Sequence, residues 1–584
     1  MLIRAAIIIV LGFTAYASML HAPFRILDDR TSIVDNPDIK STKDIPVIFK
    51  EGYFHDQSYY RPLVNLSFMG EYHFFRLNSF FYNLDNLILH VLNALLVFLL
   101  VSRLADSSWL GFWTGLLFAI HPVQWEAVCN VPGRSILLSA FFELISFILF
   151  LEFYKNRRRF CLPLVLVTFL GALLCKESAG MLPFVILGFL ALDKTKGWLQ
   201  KLTCLWPFWA AIAGYLFLRV HFGITVVHEA GRPMVLLLGF VTFLRSVITD
   251  LRLFILPVDL HFDRCLPFMT SLLQPQALFT LVFWATAVVL LAVYRRRIPG
   301  FVLFLMWWFA LELFPVSQLV TSIGVGAGRV STAEHFLYEA CTPVFIGMVM
   351  AAAQGYRLNA ARGFIRPVLL KVLAAGFLAF LWLTAVEQSI YASNEYTMVE
   401  RSLKFEPDNP RLQGVMGMLS VFRGDIPDAE KHFRLAVAAE PFNPQYHIAL
   451  GTALCQQRQW VEGLAQYMAL PPGKNKALVD REAALTMTHI RRQLKEGKTF
   501  DSRGWLAIGI YYAKYGHVPQ AIDAFQKSAA LNPKQTDAWF NLGSLYEVQH
   551  NRAAAVMAYK KLLGLNNVTV FQRDFASKYV AIHQ

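Results

Sequence analysis

Residues 86–104, NLILHVLNALLVFLLVSRL, decide the fold class of this chain. The stretch is close in length to the roughly 20 apolar residues that an α-helix needs to cross the hydrocarbon core of a bilayer. Its one charged residue, Arg103, lies at the end of the run. Similar apolar runs recur up to residue 387, so the sequence predicts an all-α, polytopic membrane bundle over residues 1–387.

The composition supports a membrane protein. Of the 584 residues, 56% are hydrophobic and only 16% are charged, which leaves too little polar surface for one water-soluble globule. Residues 388–584 have instead the mixed polar composition of a soluble domain. The formal net charge of +14 does not indicate nucleic-acid binding, because many Lys and Arg residues lie in short connectors, where they set membrane topology.

Eleven segments are candidate spanning helices: 3–20, 84–103, 109–128, 135–153, 160–176, 178–193, 202–219, 277–293, 300–319, 337–353 and 367–386. A cytoplasmic N-terminus places the basic connectors, such as 155–159, on the cytoplasmic face, and the odd count places the C-terminal domain outside. The first segment fits a retained helix better than a cleaved signal peptide. Residues 235–256 contain Arg245, Asp250 and Arg252, so we expect an interfacial or re-entrant helix there.

A 34-residue periodicity organises the C-terminal domain, and its pattern of large, small and aromatic positions is typical of tetratricopeptide repeats. The four repeats are 410–443, 444–477, 502–535 and 536–569. Residues 478–501 predict an extra helix, and residues 391–407 resemble the second helix of an incomplete repeat. Such an α-solenoid commonly holds another polypeptide, and a stabilising role without a client is equally compatible with the sequence.

Two adjacent aspartates, Asp28 and Asp29, follow the first span in a long external loop, residues 21–83. A carboxylate at a membrane surface can act as general base on an acceptor hydroxyl, because apolar surroundings and a neighbouring charge tune its pKa. An Asp-Asp pair also serves as a helix cap and a solvated turn. Both interpretations stay open.

Further polar groups fall at the external membrane edges. They are Arg61; His121, Glu126 and Arg134; Lys176 and Glu177; and Arg329, Glu334 and His335. If the helices bundle, these groups face one external cavity, where Arg and Lys would bind a phosphate through charge-assisted hydrogen bonds. Each residue alone also fits snorkelling or helix pairing. Their convergence on one side favours a site.

The order of the motifs resembles a known family. The motifs are DD at 28–29, YYRPL at 59–63, HPVQWEAV at 121–128, CKESAGMLPFVIL at 175–187 and AEHFLY at 333–338. Followed by the repeats, they are similar to the transmembrane-and-tetratricopeptide-repeat (TMTC) proteins and their bacterial relatives, which are GT-C glycosyltransferases related to protein O-mannosyltransferases. The resemblance implies inverting transfer of a sugar, typically mannose, from a polyprenyl phosphate to an external acceptor. It also implies Asp28 or Asp29 as the base and Arg or Lys on the phosphate.

The sequence departs from the family pattern at Glu334-His335, where the family often has Glu-Arg. Because the arginine that would contact the phosphate is absent there, we expect Arg329 to take its place. No cofactor is assigned, although carboxylates beside a phosphate could hold Mg²⁺ or Mn²⁺. The short repeat array favours a bacterial inner-membrane protein with periplasmic repeats. The sequons at Asn65 and Asn567 would also allow the endoplasmic-reticulum membrane.

Two alternative functions stay open. A transporter of lipid-linked sugars would also need many spans with polar residues, but such sites lie near the membrane midplane rather than at one edge. A non-catalytic scaffold would use the repeats to recruit a protein and would tolerate loss of both Asp28 and Asp29.

Overall fold

The computed structural model describes residues 1–53, 59–224, 233–319, 328–362, 366–470 and 475–583. It divides into two compact units, Met1–Pro407 and Asp408–Gln584. Both units are built from α-helices, which confirms the all-α fold class. The division lies after the composition change at residue 387, because the helix Glu395–Phe405 packs with the N-terminal unit.

The N-terminal unit is a succession of helices joined by short turns. Its α-helices are Leu2–Tyr16, Ile45–Lys50, Pro62–Phe75, Ser79–Leu104, Ser108–Ile120, Trp125–Val128, Arg134–Asn156, Cys161–Leu173, Leu182–Ala191, Trp198–Cys204, Trp206–His221, Pro233–Ile255, Pro275–Tyr294, Gly300–Leu313, Leu337–Arg362, Pro367–Ala392 and Glu395–Phe405. Single helical turns extend several of these helices or link them, as at Ala17–His21 and Glu177–Met181.

Within the described residues, seven helices are long and apolar enough to cross a membrane. They are Leu2–His21, Ser79–Leu104, Val131–Asn156, Met234–Ile255, Pro275–Tyr294, Glu334–Asn359 and Pro367–Ala392. The predicted span at 202–219 lies in a helix pair that is bent by 53°. The other predicted spans correspond to shorter apolar helices: Ser108–Ile120, Cys161–Leu173, Glu177–Ala191 and Gly300–Val316.

The segment 235–256, expected to be an interfacial or re-entrant helix, lies in one unbroken helix, Pro233–Ile255. Its length and composition are those of a spanning helix. Asp250 is 6% exposed, and Arg252 Nη2 lies 2.9 Å from Asp259 Oδ1. Pairing and burial lower the cost that the sequence alone assigns to these charges.

Polar residues in the quoted stretch face the interior of the bundle. Asn86, His90 and Asn93 are fully buried, and their spacing places them on one side of Ser79–Leu104. Asn86 donates to the backbone carbonyl of Asn130 at 2.9 Å, and Asn93 donates to that of Leu137 at 2.9 Å. His90 Nε2 lies 3.1 Å from the Ala119 carbonyl. These bonds explain how polar side chains are tolerated within an apolar span.

A two-stranded antiparallel sheet joins the loops before and after the segment that contains Pro275–Tyr294. Strand Cys265–Pro267 pairs with Arg329–Ser331, with Leu266 opposite Val330. The pairing carries Arg329 and the residues that follow it to the loop at 259–265.

The C-terminal unit contains the predicted helix pairs. Its helices are Pro410–Phe422, Ile426–Ala439, Pro444–Gln456, Trp460–Met468, Lys476–Lys495, Ser502–Lys514, Val518–Leu531, Thr536–Val548, Arg552–Leu563 and Val570–His583. The extra helix expected at 478–501 is Lys476–Lys495. The segment 391–407, expected to begin the repeat array, is helical but belongs to the N-terminal unit.

Each repeat places a glycine against an aromatic ring on its second helix. A Cβ atom at Gly417 would lie 2.5 Å from a ring carbon of Phe433, and one at Gly509 would lie 2.5 Å from Phe525. Gly451 and Gly543 face Tyr467 and Tyr559 in the same way. The small residue therefore allows the two helices of each repeat to approach closely.

Candidate active site

The aspartate pair lies directly after the first span. Asp29 is 2% exposed, and its Oδ2 atom accepts a hydrogen bond from the backbone N–H of Arg25 at 2.9 Å. No described residue donates a hydrogen bond to its Oδ1 atom. Burial raises the pKa of Asp29 to about 7, although the Arg25 cation acts in the opposite direction. Asp28 is half-buried beside it.

The turn before the aspartates is fixed by residues that are distant in the sequence. Arg25 Nη2 donates to the backbone carbonyls of Cys129 and Ala392, the latter at 3.0 Å. The two carboxylate oxygens of Glu395 each lie 3.0 Å from the backbone nitrogen of Ile26. The end of Pro367–Ala392 and the start of the next helix thus hold the turn.

Tyr53 connects the aspartates with Arg61. The Arg61 guanidinium lies 5.7 Å from the centroid of the Tyr53 ring. Burial raises the pKa of the Tyr53 hydroxyl to about 12, and the nearby Asp28 and Asp29 carboxylates raise it as well. The first loop therefore brings together three of the residues that the sequence analysis selects.

Arg61 is already paired with another predicted site residue, Glu177. Its Nε and Nη2 atoms donate to Glu177 Oε2 at 3.1 and 3.0 Å. The other oxygen of Glu177 accepts the backbone N–H of Tyr60 at 3.0 Å. Arg61 also lies over the Tyr59 ring, 4.7 Å from its centroid. The pair fastens the first loop to the turn that begins at Glu177.

Lys176 is the predicted cation with most freedom to bind a ligand. Within the described ranges its ammonium group has neither a hydrogen bond nor an ion pair within 4.0 Å, although Glu339, Glu143 and Glu177 act on it electrostatically. Glu143, Glu339 and Glu312 line a cavity of about 30 Å³, otherwise mostly apolar. The ammonium group is therefore attracted by nearby carboxylates, but it forms a direct ion pair with none of those described.

Glu126 and His335 form a pair on neighbouring loops. Glu126 is 2% exposed, and its Oε1 atom lies 3.0 Å from His335 Nδ1. Its other oxygen accepts the backbone N–H of His335 at 3.0 Å. His335 is thus held by Glu126 through both its side chain and its backbone.

Glu334 is held by a second buried network. It is 0% exposed, and it accepts the Trp125 indole N–H at 2.6 Å. Arg264 Nη2 lies 3.0 Å from its Oε1 atom, and the His261 backbone N–H donates to the same oxygen at 3.2 Å. Both carboxylate oxygens of Glu334 thus accept hydrogen bonds, and these bonds connect the loops that contain Trp125, His261 and Arg264.

Arg134 and His121 are also fully engaged inside the bundle. Arg134 is paired with Glu71 at 2.8 Å and donates further hydrogen bonds to Asn86 and to the Tyr82 carbonyl. His121 is 0% exposed, and its Nε2 and Nδ1 atoms contact backbone groups of Phe254 and Val123. These contacts give both residues a structural explanation.

Arg329, the expected substitute for the phosphate contact, is held within the two-stranded sheet. Its Nη1 atom lies 3.2 Å from Glu406 Oε2. Glu406 Oε1 in turn lies 3.6 Å from His261 Nε2. An Arg329 that binds phosphate would have to leave or share this carboxylate.

No group of three or more His, Cys, Asp or Glu side chains in the described ranges is arranged to hold a metal ion.

The structure adds residues that the sequence motifs do not indicate. Arg264, Glu71 and Tyr53 contact predicted site residues, and Glu395 contacts the turn that precedes Asp28. None of these four residues lies in a quoted motif. Glu395 is 369 positions from Ile26, so no local spacing could connect them. A buried charge requires a partner of opposite charge or a hydrogen-bonding group. The sequence therefore indicates that such partners exist, but it does not identify them.

Comparison with known proteins supports the resemblance. A family model described as tetratricopeptide repeat matches residues 506–567. Protein O-mannosyl-transferase F38B6.6 of Caenorhabditis elegans is 25% identical, with 74% of this chain and 62% of that protein covered. Protein O-mannosyl-transferase TMTC3 of Mus musculus is 23% identical, with 89% and 63% covered.

A shorter region is more similar. Protein O-mannosyl-transferase Tmtc1 of Drosophila melanogaster is 32% identical over 176 residues, which are 29% of this chain and 20% of that protein. The chain spans 62% and 63% of the length of the C. elegans and mouse relatives. These relatives confirm that the chain is TMTC-like.

Proposed function

We propose that this protein is a membrane glycosyltransferase that moves a sugar, mannose, from a polyprenyl-phosphate donor to a hydroxyl group of an acceptor. The relatives are named protein O-mannosyl-transferases, and the helical N-terminal unit is suited to a lipid-linked donor. A protein Ser or Thr hydroxyl is the proposed acceptor, since the repeats supply a surface that can hold a polypeptide.

The buried carboxylate of Asp29 is the observation that carries this proposal. One of its oxygens accepts no hydrogen bond from a described residue, and its pKa of about 7 is matched to proton transfer near neutral pH. Asp29 takes the proton of the acceptor hydroxyl while the acceptor oxygen bonds to the anomeric carbon. The bond from that carbon to the donor phosphate breaks, and the phosphate leaves with the electron pair.

The leaving phosphate needs a cation. Lys176 is proposed for this role because it has no ion-pair partner in the described structure, whereas Arg61, Arg134 and Arg329 are each paired with a glutamate. A preorganised positive charge stabilises the charge that develops on the leaving oxygen. A divalent cation in the same place stays a proposal without assigned ligands.

The location follows from the same chemistry. The lipid donor and the acceptor must meet at one membrane face, which we propose is the periplasmic face of a bacterial inner membrane. The lumenal face of the endoplasmic reticulum is the alternative, and it agrees with the animal sources of the relatives.

Transfer of radiolabelled mannose from synthetic polyprenyl-phosphate-mannose to membrane extracts tests the proposal. The purified chain in lipid nanodiscs is compared with Asp28→Asn and Asp29→Asn. Asp35→Asn is the matched control, because Asp35 lies in the same loop but is 56% exposed and paired with Arg30. We expect transfer by the wild type and the control, and loss in Asp29→Asn.

The same experiment separates the alternatives. Loss in Asp28→Asn with retention in Asp29→Asn would move the base to Asp28. Equal transfer in all four proteins would remove the aspartates from the mechanism. No transfer by the wild type with mannose or other polyprenyl-linked sugars would favour the scaffold.

A further inference from the structure

A single glutamate from the far end of the N-terminal unit holds the turn that carries the aspartates. Both oxygens of Glu395 lie 3.0 Å from the backbone nitrogen of Ile26. Together with the bond from the Arg25 N–H to Asp29, two successive backbone N–H groups, those of Arg25 and Ile26, donate to carboxylates. Bonds from N–H groups to a charged acceptor are stronger than neutral ones.

The position of Glu395 is itself well defined. It is the first residue of Glu395–Phe405, where Asn394 Oδ1 caps the helix by accepting the backbone N–H groups of Tyr396 and Thr397 at 3.0 and 3.4 Å. A capped helix start cannot shift without losing these bonds.

The other end of the same helix is anchored to a second loop of the unit. Ser402 Oγ accepts the backbone N–H of Phe262 at 3.0 Å. Arg401 lies over the Tyr391 ring, 4.2 Å from its centroid, and pairs with Glu387 at 3.3 Å. The helix is therefore held at both ends. Its first residue, Glu395, fixes the backbone of the turn before the aspartates by accepting a hydrogen bond from Ile26.

We propose that Glu395 is a positioning residue that sets the orientation of Asp29 through the turn at residues 25–29. The inference rests on the proposed function. Glu395 does not touch the reacting atoms in this scheme. It fixes the backbone N–H of Ile26, two residues before Asp28, so that Asp29 is presented to the acceptor hydroxyl in one orientation. Misplacement of a catalytic group by about 1 Å can cost on the order of 100-fold in rate.

The charge of Glu395 has a second consequence. Burial is the main cause of the raised pKa of Asp29, and the Asp28 and Glu395 carboxylates raise it further, whereas Arg25 lowers it. Removing the charge of Glu395 should therefore lower the pKa of Asp29. A residue that served only to stabilise the fold would not change this property.

The test uses the full-length chain with Glu395→Gln, Glu395→Asp and a matched control, Glu400→Gln. Glu400 lies on the same helix and is exposed. We expect Glu395→Gln to lower kcat about 10- to 100-fold with little change in the KM for polyprenyl-phosphate-mannose. We also expect its acidic pH limb to move to lower pH and Glu395→Asp to recover part of the rate. Unchanged kcat and pH limb in Glu395→Gln would overturn the inference.

Hydrogen–deuterium exchange provides a readout that needs no substrate. Amides in the peptide that covers residues 22–34 should exchange faster in Glu395→Gln than in wild type or Glu400→Gln. Unchanged exchange would overturn the inference, also if Glu395→Gln proved too unstable for kinetics. Absence of transfer by the wild type would instead overturn the proposed function, and the exchange result would still report whether Glu395 orders the turn.

Discussion

The Nη2 atom of Arg134 lies 2.8 Å from the Oε1 atom of Glu71, and the two side chains are 2% and 4% exposed. An ion pair so deeply buried leaves a lone charge when one partner is removed. It also shows why a buried arginine near a candidate site need not bind the substrate.

Arg134→Met should destabilise the N-terminal unit by about 3–5 kcal/mol, because Glu71 would keep its burial without its cation. Arg134→Met combined with Glu71→Gln should recover part of the loss. The melting temperature of the detergent-solubilised protein, followed by size-exclusion chromatography after heating, measures both effects. An unchanged melting temperature together with lost transfer would instead assign Arg134 to the donor phosphate.

The transfer rate should depend on pH through Asp29. Its pKa lies near 7, raised by burial and by the Asp28 and Glu395 charges and lowered by Arg25. Since a base acts only when it is deprotonated, kcat should rise with pH up to about 7 and then level off, falling about tenfold per pH unit well below that value. A rate profile from pH 5 to 9 checks this. A rate that stays constant down to pH 5 would exclude Asp29 as the base.

Lys176→Ala should lower kcat/KM for the polyprenyl-phosphate donor by about 10- to 100-fold, because a charge-assisted hydrogen bond contributes about 1.5–3 kcal/mol. Lys43→Ala is a suitable control, since Lys43 is an exposed lysine of the first loop. Steady-state kinetics with varied donor concentration measure the effect. Equal kinetics for Lys176→Ala and the control would leave the phosphate to another cation.

Two neighbouring repeats contain the same hydrogen bond with its partners exchanged. His432 Nδ1 lies 2.6 Å from Gln413 Oε1, and His447 Nδ1 lies 2.8 Å from Gln466 Oε1. Gln413→His alone should destabilise the C-terminal unit by about 1 kcal/mol, because it removes this bond. Adding His432→Gln should restore stability, since the pair then matches that of the next repeat.

Pulse proteolysis of the full-length protein in urea measures this recovery. If the double variant were less stable than Gln413→His, the two repeats would not be interchangeable at these positions.

Much of the architecture is predictable from the sequence. Long apolar runs become helices because, in lipid, each backbone N–H and C=O must be satisfied within its own segment. The repeat pattern is equally local, since Gly509 and Phe525 face each other within one helix pair. The form of the segment 235–256 is harder to predict, because the cost of its charges depends on partners such as Asp259, which lies outside the helix.

The candidate site is only partly predictable. The motifs select Asp28, Asp29, Arg61, Lys176 and Glu177, and the structure connects most of them through Tyr53 and the Arg61–Glu177 pair. They also select Arg134 and Glu334, which the structure places in buried ion pairs with Glu71 and Arg264. A motif gives the residue type, but it does not give the residue with which that side chain pairs.

The sequence by itself determines that the N-terminal part forms helices long and apolar enough to cross a membrane, and that the C-terminal part is a repeat array. These properties depend on residues within about one or two helices of each other. Only the tertiary structure decides which charged side chains form ion pairs with each other and which are available to a substrate. Asp29 is poised because Arg25, Glu395 and the surrounding helices converge on its turn, and that convergence arises from packing between segments hundreds of residues apart.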